Sequence, residues 1–575
     1  QGLLEFINLP YSGSGILSSS IGINKAVQKE LMVKNGFECP EFITIDRETW
    51  IKDPNRQEIF KKISNKRALK KSLVVKSANQ GSSIGISILH NYDFNAFVKA
   101  VNKSFFIYEL EKAEWNALNS ENRVEFIRVL TDIREGVGIP VVLNDQVIYH
   151  PEELLKFIDE YFKSNNDKAI LHGSDAESVS LIEEFIEGKE FSCIVVQNEN
   201  GDSDVVALPP TEIRKGKELF DYRSKYLPGL SRKITPIDLP EEQIENIRKQ
   251  CERLFKALHF NVYARIDGFI DKKGKVFLND PNTTSGMMPS SFFFQPAAEI
   301  GLNPSQFFTY IIRTSIQSRI SDLKDYHSAA GLLKKLDISI ENLHKKEGEK
   351  LKIAVIFGGY SSERHISVES GRNIYEKLSS SEKYEPVPVF LTGSADNHEL
   401  YTIPINLLLK DNADDIKEKI YNYKVHSIIG RIINQGSGIT EKYSSRAAIA
   451  EPQRVSYEEL SKLVQGVFIA LHGRPGEDGE VQRRLEEVDL PYNGSGIDSS
   501  RITIDKYQTN EILRENGLNV AKHMEVFKKD WLKDKEEFFA QITSEFHYPF
   551  IAKPVDDGCS SAVKKIKSEK ELRAF

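Results

Sequence analysis

Apolar residues run together from Lys352 to Gly359, KIAVIFGG, a buried-strand pattern closed by two glycines, and helical periodicity takes over from Ser367. Strand, glycine turn and helix in that order predict an α/β unit. Nearer the start of the chain, Leu73 to Lys76, Leu181 to Phe185 and Val205 to Leu208 have the length and β-branched content of strands. Ala264 to Ile270 and Lys275 to Leu278 do as well, and the turn residues Asp271 to Gly274 between them predict a hairpin. Pro151 to Phe162, PEELLKFIDEYF, is amphipathic at helical spacing within the less patterned stretch Tyr108 to Glu177, which reads as an insertion. Ala329 to Lys350, rich in lysine and leucine, predicts a helix running into a linker.

The pattern also repeats. Gln1 to Lys25, QGLLEFINLPYSGSGILSSSIGINK, returns at Gln482 to Lys506 as QRRLEEVDLPYNGSGIDSSRITIDK, identical at fifteen of twenty-five positions. LVVKSANQGSSIG from Leu73 is answered by FIAKPVDDGCSSA from Phe550. The period is about 480 residues, so the chain carries the later two thirds of one copy and the first half of another. Gln1-Gly-Leu-Leu-Glu reads like the interior of an amphipathic helix without signal-peptide character, so a fragment of a longer chain is expected.

Composition narrows the partners. The 575 residues imply several compact domains. The 77 basic and 84 acidic residues are scattered, with a net charge of -7, which argues against nucleic acid. Cys39, Cys193, Cys251 and Cys559 match neither a metal knuckle nor a disulfide framework and suit a reducing, cytoplasmic setting. Apolar runs such as Ala354 to Phe357 fall far short of the roughly 20 residues a membrane-spanning helix needs, so no membrane partner is expected.

Candidate chemistry concentrates in ARIDGFIDKKGKVFLNDPN, Ala264 to Asn282. Asp280 and Asn282, two apart on a strand, share a face, and a turn near Gly274 brings Asp267 about opposite Asp280. Three hard oxygen ligands suit Mg²⁺ completed by phosphate and water, although Asp beside a hairpin is also ordinary turn chemistry. Gln80-Gly81-Ser82-Ser83-Ile84-Gly85, after the strand that bears Lys76, is either a cover for phosphates or a solvated turn. DYRSKY, Asp221 to Tyr226, reads as a lysine-bearing loop with aromatic packing, and His472 in ALHGRPGEDG as a histidine at a strand end.

Taken together, these segments resemble the D-alanine-D-alanine ligases of the ATP-grasp superfamily. GGYSSERHIS, ALHGRPGEDG, LPYNGSG, the GSSIG loop, LIEEFIEGKEF, DYRSKY and RIDGF followed by NDPNTTSGM occur in the family's order once the copies are registered. The resemblance implies a mixed α/β and α+β fold. Residues 1–24 would end the N-terminal ligase domain of copy one, 25–190 form its central ATP-grasp subdomain with an insertion at about 108–177, and 191–328 its C-terminal catalytic subdomain. After a linker at 329–350, 351–505 would be the Rossmann-like N-terminal domain of copy two and 506–575 the start of its central subdomain. Lys25, Lys76, Glu183, Glu184, Phe185, Ile186 and Glu190, with Lys506 and Lys553 in copy two, look like the family's ATP contacts. Asp267, Asp280 and Asn282 match its ligands for Mg²⁺ or Mn²⁺, Asp280 standing where glutamate is usual. Arg265 and the Gly286 N-H correspond to oxyanion stabilisers, Lys225 to the loop lysine that reaches phosphate, and Tyr226 with Ser82 to the pair that closes the loop. Ser291 corresponds to the binder of the second substrate's carboxylate, and His472 joins the catalytic set.

The reaction so implied couples ATP to the joining of two D-alanines through an acyl phosphate, for peptidoglycan, in a homodimer or an internal pseudo-dimer of the copies. Two departures matter. The resemblance puts the glutamate that binds the first D-alanine's ammonium at His365, with Glu363 on an extended segment pointing elsewhere. The copy-two loop has Cys559 and Ala562 where copy one has Ser82 and Gly85. An ATP-grasp ligase of other amino-acid specificity, or a non-catalytic ATP-binding regulatory module, are the competing readings.

Overall fold

A computed structural model describes the chain except residues 53–54, 67–71, 165, 175–176, 199–203, 216–230, 289–290, 321–325, 411, 445–449 and 559–561. It forms two compact units, one of Gln1–Leu302, Gln306–Ile338 and Val425–Tyr443, the other of Asn303–Ser305, Ser339–Lys424 and Ser444–Phe575. Both mix helices with β-sheets. Among the described residues no helix is long and apolar enough to cross a membrane.

In the first unit, an antiparallel sheet runs in the order Phe42–Asp46, Val179–Glu184, Ser72–Ser77, Ser87–His90. Leu73, Val75 and Ile182 pack on Trp50 and Phe97, and the Trp50 Nε1 donates to Asn102 Oδ1 at 2.7 Å. A second sheet centres on Gly188–Gln197, which pairs with the hairpin strand Tyr263–Asp271 on one side and with Thr211–Lys215 on the other. The expected hairpin is completed by Val276–Asn282.

The less patterned stretch Tyr108 to Glu177 holds more regular structure than its sequence suggests. It builds a sheet in the order Ile107–Glu111, Lys168–Gly173, Val141–Leu143, Gln146–Ile148, roofed by helices that include Pro151–Lys163. Trp115, Leu154, Ile158 and Leu171 share a core distinct from that around Trp50. The first unit also takes in two helices from far along the chain, Ser427–Gln435 and Ser437–Tyr443. Ile428, Ile429 and Ile432 are buried, and the buried guanidinium of Arg248 donates to Gln435 Oε1 at 2.7 Å and to the Ala207 carbonyl at 2.8 Å.

The second unit opens on the strand Leu351–Gly358, parallel to Tyr384–Gly393 and to Gly466–Ile469, with His398–Thr402 and Gln453–Val455 added antiparallel. The helix Arg364–Ser379 lies on this sheet so closely that a Cβ at Gly371 would come within 2.6 Å of Phe357 Cβ. As expected of Ala329 to Lys350, a helix, Tyr326–Lys345, precedes a short connection, the 3₁₀ turn Glu347–Glu349, that leads up to the strand.

Repeated sequence gives repeated bonding. Tyr11 donates to Glu5 in one copy, and Tyr492 to Glu486 at 2.6 Å in the other. Gln1 Nε2 donates to Ser19 Oγ at 2.8 Å, and Gln482 Nε2 to Ser500 Oγ at 3.5 Å. The Lys25 N-H bonds the Ala78 carbonyl and the Lys506 N-H the Val555 carbonyl, both at 2.9 Å.

Candidate functional site

Strand alternation assembles a polar face on the second sheet of the first unit. Register pairs Asp267 with Asp280, Arg265 with Asn282 and Ser192 with Asp267, and Glu190 lies two residues before Ser192. These six side chains therefore share one face, while Phe191, Cys193, Ile266 and Leu278 are buried on the other. Ser192 Oγ donates to Asp267 Oδ1 at 2.7 Å, and Arg265 reaches Asp267 Oδ2 at 3.0 Å and Ser285 Oγ at 3.3 Å. Asn282 Nδ2 donates to the Asp280 carbonyl at 2.8 Å, which fixes the amide plane. Among the described residues no three His, Cys, Asp or Glu side chains gather at metal-binding range. The candidate set is two carboxylates and an amide, a hard-oxygen donor set of the type Mg²⁺ accepts when phosphate and water supply the remaining positions.

The register slips between Asp267 and Gly268, so Asn279 is the extra residue of a β-bulge. Bulges re-aim side chains. Here the Asn279 Oδ1 accepts from Lys29 Nζ at 2.8 Å and lies 3.4 Å from Lys76 Nζ. The same two ammonium groups hold Glu183, Lys76 at 2.5 Å on Oε1 and Lys29 at 3.1 Å on Oε2. Burial pulls the pKa of Lys29 down against the upward effect of Glu183. Burial raises that of the Glu183 carboxyl, but the two lysines outweigh it and hold the group below its ordinary range. Lys76 thus stands beside the strand that carries Asp280. Sequence reasoning missed Lys29 and Asn279, because burial of a lysine and a one-residue bulge are set by packing rather than by local pattern.

The Gln80–Gly85 loop leaves the Lys76 strand with Ser82, Ser83 and Gly85 at positive φ. Lys25 starts the helix Lys25–Lys34 and donates to the Gln80 carbonyl at 2.7 Å, while Asn79 donates to the buried Glu177 at 3.0 Å. Glu184 ends its strand, Phe185 packs edge-on to His90, and Ile186 follows half-buried. Gly286 is exposed with nothing within 4 Å of where a Cβ would lie, and Ser291 Oγ accepts from the Phe293 N-H at 3.3 Å. Lys225 and Tyr226 lie outside the described residues.

The second unit corrects one expectation. Glu363 is not on an extended segment pointing away. It caps the helix Arg364–Ser379, is buried, and lines a cavity of about 530 Å³ with Ser362, Arg474, Lys506, Asp556 and Asp557. His365, already inside the helix, faces the opposite way. Its Nδ1 accepts from the Ala413 N-H at 3.3 Å, and its Nε2 is 3.7 Å from Asp414. The reason is periodicity, since two residues span about 200° of a helix. His472 bonds Ser370 at 2.8 Å, and its carbonyl accepts from Ser361 at 2.8 Å.

The loop after Lys553 closes against these residues. Arg474 pairs with Asp556 at 2.7 Å, Ser362 donates to Asp557 at 3.2 Å, and a Cβ on Gly558 would overlap the Glu363 carboxylate. Lys506 donates to the Asp557 carbonyl at 2.6 Å, repeating the contact of Lys25 with Gln80. Lys553 is exposed, the strand before it pairing, among the described residues, only with Lys564–Ile566, whereas Lys76 is buried against the strand Val179–Glu184.

Comparison with known proteins finds two family profiles along the chain. The profile described as D-ala D-ala ligase C-terminus matches residues 31–107, 162–313 and 512–575, together just over half of the chain, and the one described as D-ala D-ala ligase N-terminus matches 352–495. The C-terminus profile passes over 108–161, which holds the strands Val141–Leu143 and Gln146–Ile148 and most of the separate core. D-alanine--D-alanine ligase of Acetivibrio thermocellus is 27% identical over 57% of this chain and 66% of its own length, and that of Pelotomaculum thermopropionicum is 26% identical over 55% and 76%. The chain therefore spans about two thirds to three quarters of these relatives. A crystal structure of D-alanine--D-alanine ligase from Bacillus anthracis is 25% identical over 56% of this chain and 76% of that one, with a TM-score of 0.35.

Proposed function

Because the chain belongs to the D-alanine-D-alanine ligase family, we propose that it derives from an ATP- and Mg²⁺-dependent enzyme that joins two D-alanines into D-alanyl-D-alanine for peptidoglycan, the reacting site of copy one lying on the Asp267 face. The observation that carries this reading is the register of Asp267 with Asp280 beside Asn279, the residue that both Lys29 and Lys76 touch. Asp267, Asp280 and Asn282 would hold the metal, which supplies charge neutralisation for phosphoryl transfer when bound. Lys76 would draw the polyphosphate to that face, while Ser192 and Arg265 keep Asp267 oriented. A D-alanine carboxylate attacks the γ-phosphorus and releases ADP. The second D-alanine's amine then attacks the acyl phosphate, losing a proton as phosphate leaves, with Arg265 and the Gly286 N-H stabilising the oxyanion.

In copy two, Glu363 is the candidate for a substrate ammonium, because it is the carboxylate buried in the cavity wall. The Arg474–Asp556 closure over the cavity favours a second reading for that copy alone, a nucleotide-responsive module without turnover. The test is mass detection of D-alanyl-D-alanine from ATP, Mg²⁺ and D-alanine, with a panel of D- and L-amino acids as competitors. Product from D-alanine that vanishes in D280A supports the ligase reading. ATP turnover driven by another amino acid, or ATP binding with no amino-acid-dependent turnover, overturns it.

A further inference from the structure

Two lysines and one carboxylate share a dry pocket beneath the Lys25–Lys34 helix, so the trio carries one surplus positive charge. The Lys29 side chain has no solvent exposure, and those of Lys76 and Glu183 have 5% and 4%. In so enclosed a place a carboxylate with one ammonium partner forms a neutral pair, and an unpaired charge is strongly disfavoured. If Lys76 were the only partner of Glu183, its charge would be committed to that carboxylate. Lys29 changes this. It approaches Glu183 from the closed side at 3.1 Å and is fixed by the Asn279 amide at 2.8 Å. Lys76, the less enclosed lysine, lies on the strand that leads into the Gln80–Gly85 loop.

We infer that Lys29 is a positioning residue that neutralises Glu183 from behind and so leaves the charge of Lys76 available to the polyphosphate of a nucleotide, an inference that rests on the ATP-dependent reading above. Asn279 adds that its one oxygen accepts from both ammonium groups, which ties their spacing to the strand of Asp280.

The experiment is calorimetric titration of the 575-residue chain with Mg-ATP, without amino acid, for wild type, K29M, K29Q, E183Q and K29M/E183Q. Thermal melts confirm folding. K29M and K29Q are expected to weaken binding about tenfold, a loss of about 1.4 kcal/mol. Against an E183Q background the K29M change should shrink to under about threefold, because no carboxylate remains to capture Lys76. Equal losses in both backgrounds would reduce Lys29 to packing and overturn the inference, as would wild-type affinity in K29Q. A wild-type chain that does not bind Mg-ATP overturns the nucleotide reading itself, and this inference with it, whereas tight wild-type binding with no coupling removes only the role of Lys29.

Discussion

Asp267 depends on a neighbour that does not titrate. Ser192 is buried and holds one Asp267 oxygen while Arg265 holds the other, so the carboxylate is oriented before any cation arrives. Outer partners of this kind typically contribute about 10- to 100-fold to metal affinity. S192A should therefore weaken Mn²⁺ binding about tenfold, measured by water-proton relaxation, with little change in the melting temperature. Gly85 is the corresponding backbone case. It sits at φ +71°, and an added Cβ would lie 2.5 Å from Ser77 Oγ. G85A should cost about 1–2 kcal/mol in chemical denaturation from the left-handed backbone alone. Facing of Asp267 and Asp280 was legible because strand alternation is local. Lys29 and Asn279 were not, since what brings them together is a helix packing on a bulge.

At the scale of elements, strands with long apolar runs were readable, as at Leu73 and Ala264, whereas the insertion hid its sheet. Two of its strands, Val141–Leu143 and Gln146–Ile148, have three residues each, too few for alternation to register. The segment around Glu363 was misread for a related reason. Its helix begins at Arg364, three residues ahead of the first periodic signal, so an extended geometry does not describe Glu363 and His365. The helix Glu480–Glu486 offers a pH test of element stability. Its first carboxyl is drawn down to about 2, chiefly by Arg483 and also by Arg484. A carboxyl with a depressed folded pKa stabilises fully above its ordinary value near 4.5 and loses that contribution as pH falls toward 2. Denaturation of E480Q and wild type should therefore differ at pH 6 and converge between pH 4.5 and 2. A gap that stays constant would contradict the assignment.

On the scale of the molecule, repeat and fold do not divide the chain at the same places. Composition suggests a boundary between the copies near residues 329–350, yet the first unit includes Val425–Tyr443 from well beyond it. Arg248, 1% exposed, satisfies its guanidinium partly on Gln435, and Asp337 binds both Arg313 at 2.6 Å and Lys442 at 3.0 Å. A chain ended at Lys350 would lose the Gln435 and Lys442 partners. Loss of a large buried aliphatic side chain typically costs about 2–5 kcal/mol. The shortened protein should melt well below the intact one, and adding residues 425–443 as a peptide should restore part of the difference. Equal melting temperatures would show that the two helices contribute nothing to the first unit.

The borrowed helix pair bears on how such a gene can be divided. A tandem duplication ordinarily yields modules that can be copied, lost or shuffled singly. Once residues 425–443 are buried in a unit built mainly from the first 338, a cut between the two stretches leaves apolar side chains uncovered, so separation carries a cost in stability.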